Sequence, residues 1–150
     1  MNRLGKIAVA ALLCSIGAAA QNNGYWKATS TTARSITGDL SISGDRLQIN
    51  FATFPIADIR ALTPEESLAV FNIDAEAEGS GTLYRLNIPA QKVFLHRNVL
   101  CGSEDTQWMA TFVSGKRLQI AFLSGSKMPV FTPDAISNST ALCGTFLYSH

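Results

Sequence analysis

Two alternating runs of apolar residues, joined by a short turn, constrain the fold of this chain more than any other feature. Trp108, Ala110 and Phe112 alternate with other residues before Ser114-Gly115, and the alternation resumes from Leu118 to Phe122. A period of two indicates β-strands, and a turn between two such runs predicts an antiparallel hairpin. Because both faces of this hairpin carry apolar residues, we expect it at the centre of a sheet or in the wall of a closed barrel.

Similar patterns predict several further strands. A second hairpin is predicted over residues 36–51 around the turn at Ser43-Gly44-Asp45. Its alternating apolar residues are Ile36, Leu40 and Ile42 before the turn and Leu47, Ile49 and Phe51 after it. Strands are also predicted over residues 82–88 and 144–148, with another over 25–32. The number and short spacing of these runs predict a mainly β fold, a small antiparallel barrel or sandwich.

One short helix is predicted near residues 64–71. Thr63 supplies a hydroxyl at the N-cap, Pro64 occupies the first helical position and Glu66 follows three residues after the cap. This arrangement is the capping box. Glu65 and Glu66 therefore have a structural explanation at the positive end of the helix dipole, which we prefer to a catalytic pair of carboxylates.

The first twenty residues have the order of a bacterial secretory signal peptide. Arg3 and Lys6 precede an apolar run over residues 7–20, and Ala18 and Ala20 fit a signal peptidase. A membrane anchor is the alternative, but this run is shorter than the roughly 20 residues that a spanning helix needs. A lipoprotein signal would have to use Cys14, which follows Leu13 inside the apolar run. We therefore expect cleavage after residue 20, a periplasmic or secreted protein, and no stable membrane span afterwards.

The remaining residues, 21–150, have the length of a single domain. Without Arg3 and Lys6, ten basic residues face eleven acidic ones, which gives a net charge of −1. This balance gives no electrostatic reason to expect nucleic acid or an anionic membrane as a partner.

Two cysteines, Cys101 and Cys143, follow the predicted signal peptide. An even pair in an oxidising compartment predicts a disulfide bond. The alternative is a pair of metal ligands, but neither cysteine has a second Cys or His within a few residues, as a zinc site would need. We therefore predict a disulfide and no metal site.

The sequence contains few residues suited to catalysis. His96 is the one histidine that we expect in a structured position, because His150 is the last residue printed and chain ends usually fray. No nucleophile elbow, phosphate-binding loop, dinucleotide motif or zinc-protease motif is present, so no cofactor is predicted. Asp74, Glu76 and Glu78 would form an acidic row on a strand, which suits a solvated edge better than a calcium site.

A polar loop between residues 96 and 108 is the predicted binding surface. It carries His96, Arg97, Glu104 and Asp105 beside the predicted disulfide. A disulfide at the root of a charged loop fixes its position, and β scaffolds commonly present binding residues on such loops. The alternative is an ordinary tethered turn with Trp108 in the core. A second possible site is an apolar cavity in the β scaffold, lined by Phe51, Phe112 and Phe122.

The segment from Ser80 through Gly81, Thr82 and Leu83 to Tyr84 resembles a region of the small periplasmic lysozyme inhibitors. That family consists of exported β-barrels with disulfides, so the resemblance implies inhibition of a hydrolase such as lysozyme. The lysine-containing motif that follows in that family is missing from this chain, and its cysteines are placed differently.

Three classes of function follow from the sequence. The first is a non-enzymatic binding module that recognises a protein or small ligand of the cell envelope, with the hydrolase inhibitor as its more specific alternative. The second is a small hydrolase that uses His96 with a nearby serine or carboxylate. The third is a structural component of the envelope, which would form stable homopolymers.

Overall fold

A computed structural model describes residues 22–150 as an eight-stranded antiparallel β-barrel. Each strand pairs with the next along the chain, and the last strand pairs with the first to close the barrel. The predicted signal peptide lies outside the described residues. The strands are β1 (Gly24–Ala28), β2 (Leu40–Ser43), β3 (Arg46–Ile49), β4 (Ala52–Leu62), β5 (Ser80–Ile88), β6 (Thr106–Ser114), β7 (Arg117–Ser124) and β8 (Leu142–Ser149).

Three short helices and one 3-10 turn lie in the connections. They are α1 (Thr31–Ile36), α2 (Pro64–Phe71), the 3-10 turn Leu95–Arg97 and α3 (Pro133–Ser137). The prediction of α2 and its capping box is confirmed: the Glu66 amide donates to the Thr63 hydroxyl at 3.2 Å, and the Thr63 amide donates to the Glu66 carboxylate at 3.1 Å. Within residues 22–150, none of these helices has the length and apolarity needed to traverse a bilayer.

Both predicted hairpins are present, but the ends of the earlier one differ from the prediction. In the β6–β7 hairpin Ser114 pairs with Arg117, and in the β2–β3 hairpin Ser43 pairs with Arg46. Ile36 was wrongly placed in a strand, because a Ser30 N-cap starts α1 and ends β1 before Thr32. Phe51 was also wrongly placed in β3. It lies in the tight turn to β4, where its side chain faces solvent.

The longest strand, β4, was missed by the sequence analysis. Pro55 interrupts the apolar pattern, and Asp58 and Arg60 follow where an inward-facing side chain would be apolar. A register shift between Asp58 and Arg60 marks a bulge, so the side chains after it change faces relative to simple alternation.

The core has two layers, which explains why the β6–β7 hairpin is apolar on both faces. Met109 and Val113 on β6 belong to the inner layer, whereas Trp108 and Phe112 on the same strand belong to the outer layer. The outer layer lies beneath α2 and α3 and includes residues from both the wall and its cover. Five large side chains of the inner layer are at most 2% exposed: Trp26, Tyr84, Phe122, Phe146 and Tyr148.

The strand directions place four connections at one end of the barrel, which we call the loop end. They are the α1 connection, the β3–β4 turn, the β5–β6 loop (residues 89–105) and the β7–β8 loop (residues 125–141). The opposite end carries the two tight turns of the β2–β3 and β6–β7 hairpins and the connection that contains α2. The predicted binding residues and both cysteines therefore belong to the loop end.

Candidate functional site

The predicted disulfide is present and fixes the β5–β6 loop to the barrel. Cys101 in this loop is bonded to Cys143 near the start of β8, with 5.0 Å between their Cα atoms. This separation lies within the range of about 4.4–6.8 Å that is usual for disulfides. The bridge connects two parts of the chain that lie 42 residues apart in sequence.

The same loop is held at its root and along its length by further contacts. The Asp105 carboxylate accepts a hydrogen bond from the Ala90 amide at 2.8 Å, which joins the two ends of the loop. The Phe94 amide donates to the Asn98 carbonyl at 2.8 Å, and the side chains of Phe94 and Leu100 are buried in the inner core. The loop is therefore part of the packed structure, although it contains no strand or α-helix.

His96 and Arg97 lie at the turn of this loop that faces α1. Both have left-handed backbone conformations, with φ values of 54° and 60°. Non-glycine residues adopt this conformation at a cost in energy, and tertiary contacts must maintain it. Here the Ser35 carbonyl provides the contact: the His96 ring nitrogen Nδ1 lies 3.0 Å from it, and the Asn98 side-chain amide donates to it at 3.1 Å.

Glu104 and Asp105 lie at the other end of the loop, beside the disulfide. The Glu104 amide donates to the Cys101 carbonyl at 3.1 Å, which closes a turn next to the bridge. Glu104 borders a surface concavity of about 360 Å³ whose other walls include Thr140, Leu142 and Cys143. The structure thus places the four predicted residues on one loop and leaves all four exposed, but within residues 22–150 no ion pair joins any of them.

The side chain of His96 makes its hydrogen bond with the main chain. The hydrogen-bond partner of its ring is the main-chain carbonyl of Ser35 rather than a Ser, Asp or Glu side chain. Among the described residues, no group of three or more His, Cys, Asp or Glu side chains is placed to hold a metal ion. The acidic residues Asp74, Glu76 and Glu78 lie in a turn instead of a strand, and the Asp74 carboxylate accepts a hydrogen bond from the Glu76 amide.

The prediction of an apolar cavity lined by Phe51, Phe112 and Phe122 is wrong. Phe122 is completely buried in the inner core, where its ring contacts that of Phe146. Phe112 lies in the outer core beneath Phe71, on the other side of the barrel wall. Phe51 projects into solvent at the β3–β4 turn. Alternation alone could not assign these residues to one cavity, because it does not say which face of a strand is inward.

His150 is fixed, contrary to the expectation that it would fray. Its ring stacks on the ring of Trp26, with 3.6 Å between the centroids, and its amide donates to the Lys116 carbonyl at 2.9 Å. The side chain therefore lies over the interior at the end of the barrel opposite the loop end.

Sequence reasoning missed two apolar surface features at the loop end. Phe51 and Val93 border a concavity of about 360 Å³ between the β3–β4 turn and the β5–β6 loop. Met128 and Val130 border a groove of about 440 Å³ along the β7–β8 loop. No periodicity marks such residues, because each lies in a turn or loop where alternation has no meaning.

The segment that resembles the lysozyme inhibitors lies in β5. Gly81, Thr82, Leu83 and Tyr84 are all buried, and the Tyr84 hydroxyl accepts a hydrogen bond from the Asn22 side-chain amide at 2.6 Å. Burial also raises the pKa of the Tyr84 hydroxyl. These residues build the core of the barrel, so they offer little surface to a partner.

Comparisons with family models, with curated proteins and with solved structures find no match to this chain.

Proposed function

We propose that this chain is an exported, non-enzymatic binding domain that recognises a protein or small ligand of the cell envelope through its loop end. The observation that supports this function best is the construction of the β5–β6 loop. Three separate restraints hold the loop, namely the disulfide, the Asp105 carboxylate and the contacts of His96 and Asn98 with Ser35. Arg97 and Glu104 nevertheless keep exposed side chains.

A loop built in this way suits recognition. Ordering a flexible loop on binding opposes association, and a loop that is already fixed avoids this loss. Polar groups of both signs on a fixed loop select a partner by charge and geometry, as binding loops on rigid β scaffolds do. The backbone strain at His96 and Arg97 favours the same interpretation, because strained residues occur often at functional sites.

The alternative functions have less support from the geometry. A hydrolase that uses His96 would need a serine or carboxylate beside the ring, and among the described residues the hydrogen-bond partner of the ring is the Ser35 main-chain carbonyl. An inhibitor of a hydrolase such as lysozyme would have to act through surfaces other than residues 80–84, most of which are buried. A structural component of the envelope stays a third proposal, which size-exclusion chromatography tests directly.

The test is recovery of partners from an envelope extract with the purified protein as bait. The variant Arg97→Ala/Glu104→Ala removes the two exposed charges and keeps the three restraints on the loop. The matched control is Asp45→Ala/Arg46→Ala, which removes an exposed pair of opposite charges at the other end of the barrel. We expect the first variant to lose specific partners with an unchanged melting temperature, because exposed charges contribute little to stability. Equal recovery by both variants would contradict the proposal.

Asp105 is left out of that variant for a structural reason. On the sequence alone, replacing Arg97, Glu104 and Asp105 together with alanine is expected to leave the melting temperature nearly unchanged. The structure changes this expectation, because the Asp105 carboxylate holds the Ala90 amide. A hydrogen bond to a charged group contributes about 1.5–3 kcal/mol, so the triple variant would confuse lost recognition with a loosened loop.

A further inference from the structure

The β3–β4 turn presents an aromatic side chain that nothing in the described part of the chain covers. Ile49 pairs with Ala52, so Asn50 and Phe51 form a two-residue turn. Asn50 has a φ of 54°, a left-handed conformation that asparagine tolerates well and that tight hairpins require. The Phe51 side chain is 101% exposed, which means that it projects clear of the surface.

A second apolar side chain and a cation lie across a shallow concavity from Phe51. Val93 is about half exposed and borders this concavity together with Lys92. We call Phe51, Val93 and Lys92 the Phe51 lip. The concavity measures about 360 Å³, and its remaining lining comes from the β3–β4 turn and from Phe94 and Leu95.

The support beneath the lip is packed. Phe94 is buried, and the centroid of its ring lies 6.2 Å from that of Phe54 on β4. Leu95 contacts Gly38 so closely that a Cβ atom at Gly38 would lie 3.0 Å from the Leu95 methyl group. Both sides of the lip are therefore fixed in place, and its exposed side chains do not have to be ordered before they meet a partner.

The charge at the lip has one sign. Among residues 22–150, Lys92 is the only charged residue that lines the concavity, and Arg97 follows on the same loop. The acidic Glu104 lines the separate concavity beside the disulfide, and the Asp105 carboxylate holds the Ala90 amide. The β5–β6 loop as a whole carries two basic and two acidic residues, but the charge that borders the exposed apolar side chains of the concavity is that of Lys92.

We infer that the Phe51 lip docks onto an anionic lipid surface. An aromatic side chain that projects from a tight turn can reach into the interfacial zone of a bilayer, which accepts it without a fitted pocket. The Lys92 chain can lie along apolar surface while its amine reaches lipid phosphates. Two apolar side chains and one lysine make a small contact, so the binding is weak and reversible and falls with salt.

The test uses tryptophan fluorescence, because both native tryptophans are buried and report little on the surface. The variant Phe51→Trp places an indole in the lip, and Ile59→Trp places one at an exposed position on the β4 wall as the matched control. The probes are vesicles of phosphatidylglycerol with phosphatidylethanolamine, and vesicles of phosphatidylcholine alone. Because Trp26 and Trp108 emit in both variants, the result is the difference between the spectra of Phe51→Trp and Ile59→Trp.

With the anionic vesicles, we expect the Phe51→Trp emission to shift to shorter wavelength and the indole to be protected from iodide, whereas Ile59→Trp stays unchanged. Lys92→Gln in the Phe51→Trp background should raise the lipid concentration at half-saturation about fivefold. Lys116→Gln, at the opposite end of the barrel, should leave it unchanged. No shift with anionic vesicles overturns the inference. Three other results also overturn the inference. They are an equal emission shift in Phe51→Trp and Ile59→Trp, an equal shift with phosphatidylcholine vesicles, and an equal change in half-saturating lipid concentration for Lys92→Gln and Lys116→Gln.

Discussion

Two parts of the barrel wall share one interior but differ on the outside. In the covered wall, formed by β5, β6 and β7, outward side chains such as Trp108 and Phe112 are buried beneath α2 and α3. In the open wall, formed by β1, β2, β3 and β8, outward side chains such as Tyr25 and Leu147 face solvent. The inner core is continuous across both walls. The second apolar layer therefore forms where the β4–β5 and β7–β8 connections carry helices that pack on the outside of the wall.

The disulfide links these two walls, and its removal should have the largest effect on stability. Cys101 precedes β6 in the covered wall, and Cys143 belongs to β8 in the open wall. For a closed loop of about 43 residues, the chain-entropy estimate is about 4 kcal/mol. We expect Cys101→Ser/Cys143→Ser to lower the free energy of unfolding by that amount in denaturant titrations. Reductant should destabilise the wild type and leave the double variant unchanged, and a loss below about 1 kcal/mol would contradict the estimate.

A matched pair of outward-facing residues tests the difference between the walls directly. Phe112→Ala removes a ring that packs against Phe71, with 6.5 Å between the centroids, and should cost about 3 kcal/mol. Leu147→Ala, at a position 43% exposed on β8, should cost less than about 1 kcal/mol. Chemical denaturation of both variants provides the measurement. Similar losses would mean that α2 and α3 do not stabilise the covered wall.

The smallest expected effect concerns the capping of α2, the main cover. Arg60 donates to Glu66 through two nitrogens, at 2.7 and 2.8 Å, and this contact lowers the pKa of the Glu66 carboxyl. A lowered folded-state pKa stabilises the protein above the usual carboxyl pKa, and this contribution disappears as the pH falls through the lowered value.

We therefore expect Glu66→Gln to cost about 1 kcal/mol at pH 7, a modest value because the pair is partly exposed to solvent. The difference from wild type should shrink in thermal unfolding at pH 3. The matched control is Glu65→Gln in the same helical turn, for which we expect a smaller change at both pH values. A pH-independent cost at Glu66 would show that the amide geometry of the cap matters and the charge does not.

The parts of the fold that the sequence predicted are those governed by local rules. Alternation predicted the β6–β7 hairpin, and the hydroxyl, proline and glutamate at Thr63, Pro64 and Glu66 predicted α2. The strand β4 was missed because of the bulge at Asp58. A bulge is a feature of the pairing between two strands, here β4 and β5, so the sequence of β4 alone does not reveal it. Helices α1 and α3 are too short to show a helical period, so only their caps at Ser30 and Thr132 could have indicated them.

The candidate site was predictable to a similar degree. Cys101 and Cys143 were the obvious pair, and the polar residues between 96 and 105 indicated an exposed loop. The contact of His96 with Ser35 depends on how the β5–β6 loop folds over α1, which no local pattern encodes. The exposure of Phe51 likewise depends on where β3 ends. Ile49 at the end of β3 is buried, whereas Phe51, two residues later, lies at the tip of the turn.

The pairing of β8 with β1 has a consequence for how the chain reaches its native state. Lys27 lies opposite Ser149, so the seam of the barrel joins residues from nearly opposite ends of the described chain. Contacts this distant in sequence slow folding, because the entropy of closing a long loop is lost before the pairing compensates for it. Until β8 arrives, β1 and β7 both present unpaired edges that invite association with other chains. The barrel is therefore complete only when β8 has been synthesised and has paired with both of these edges.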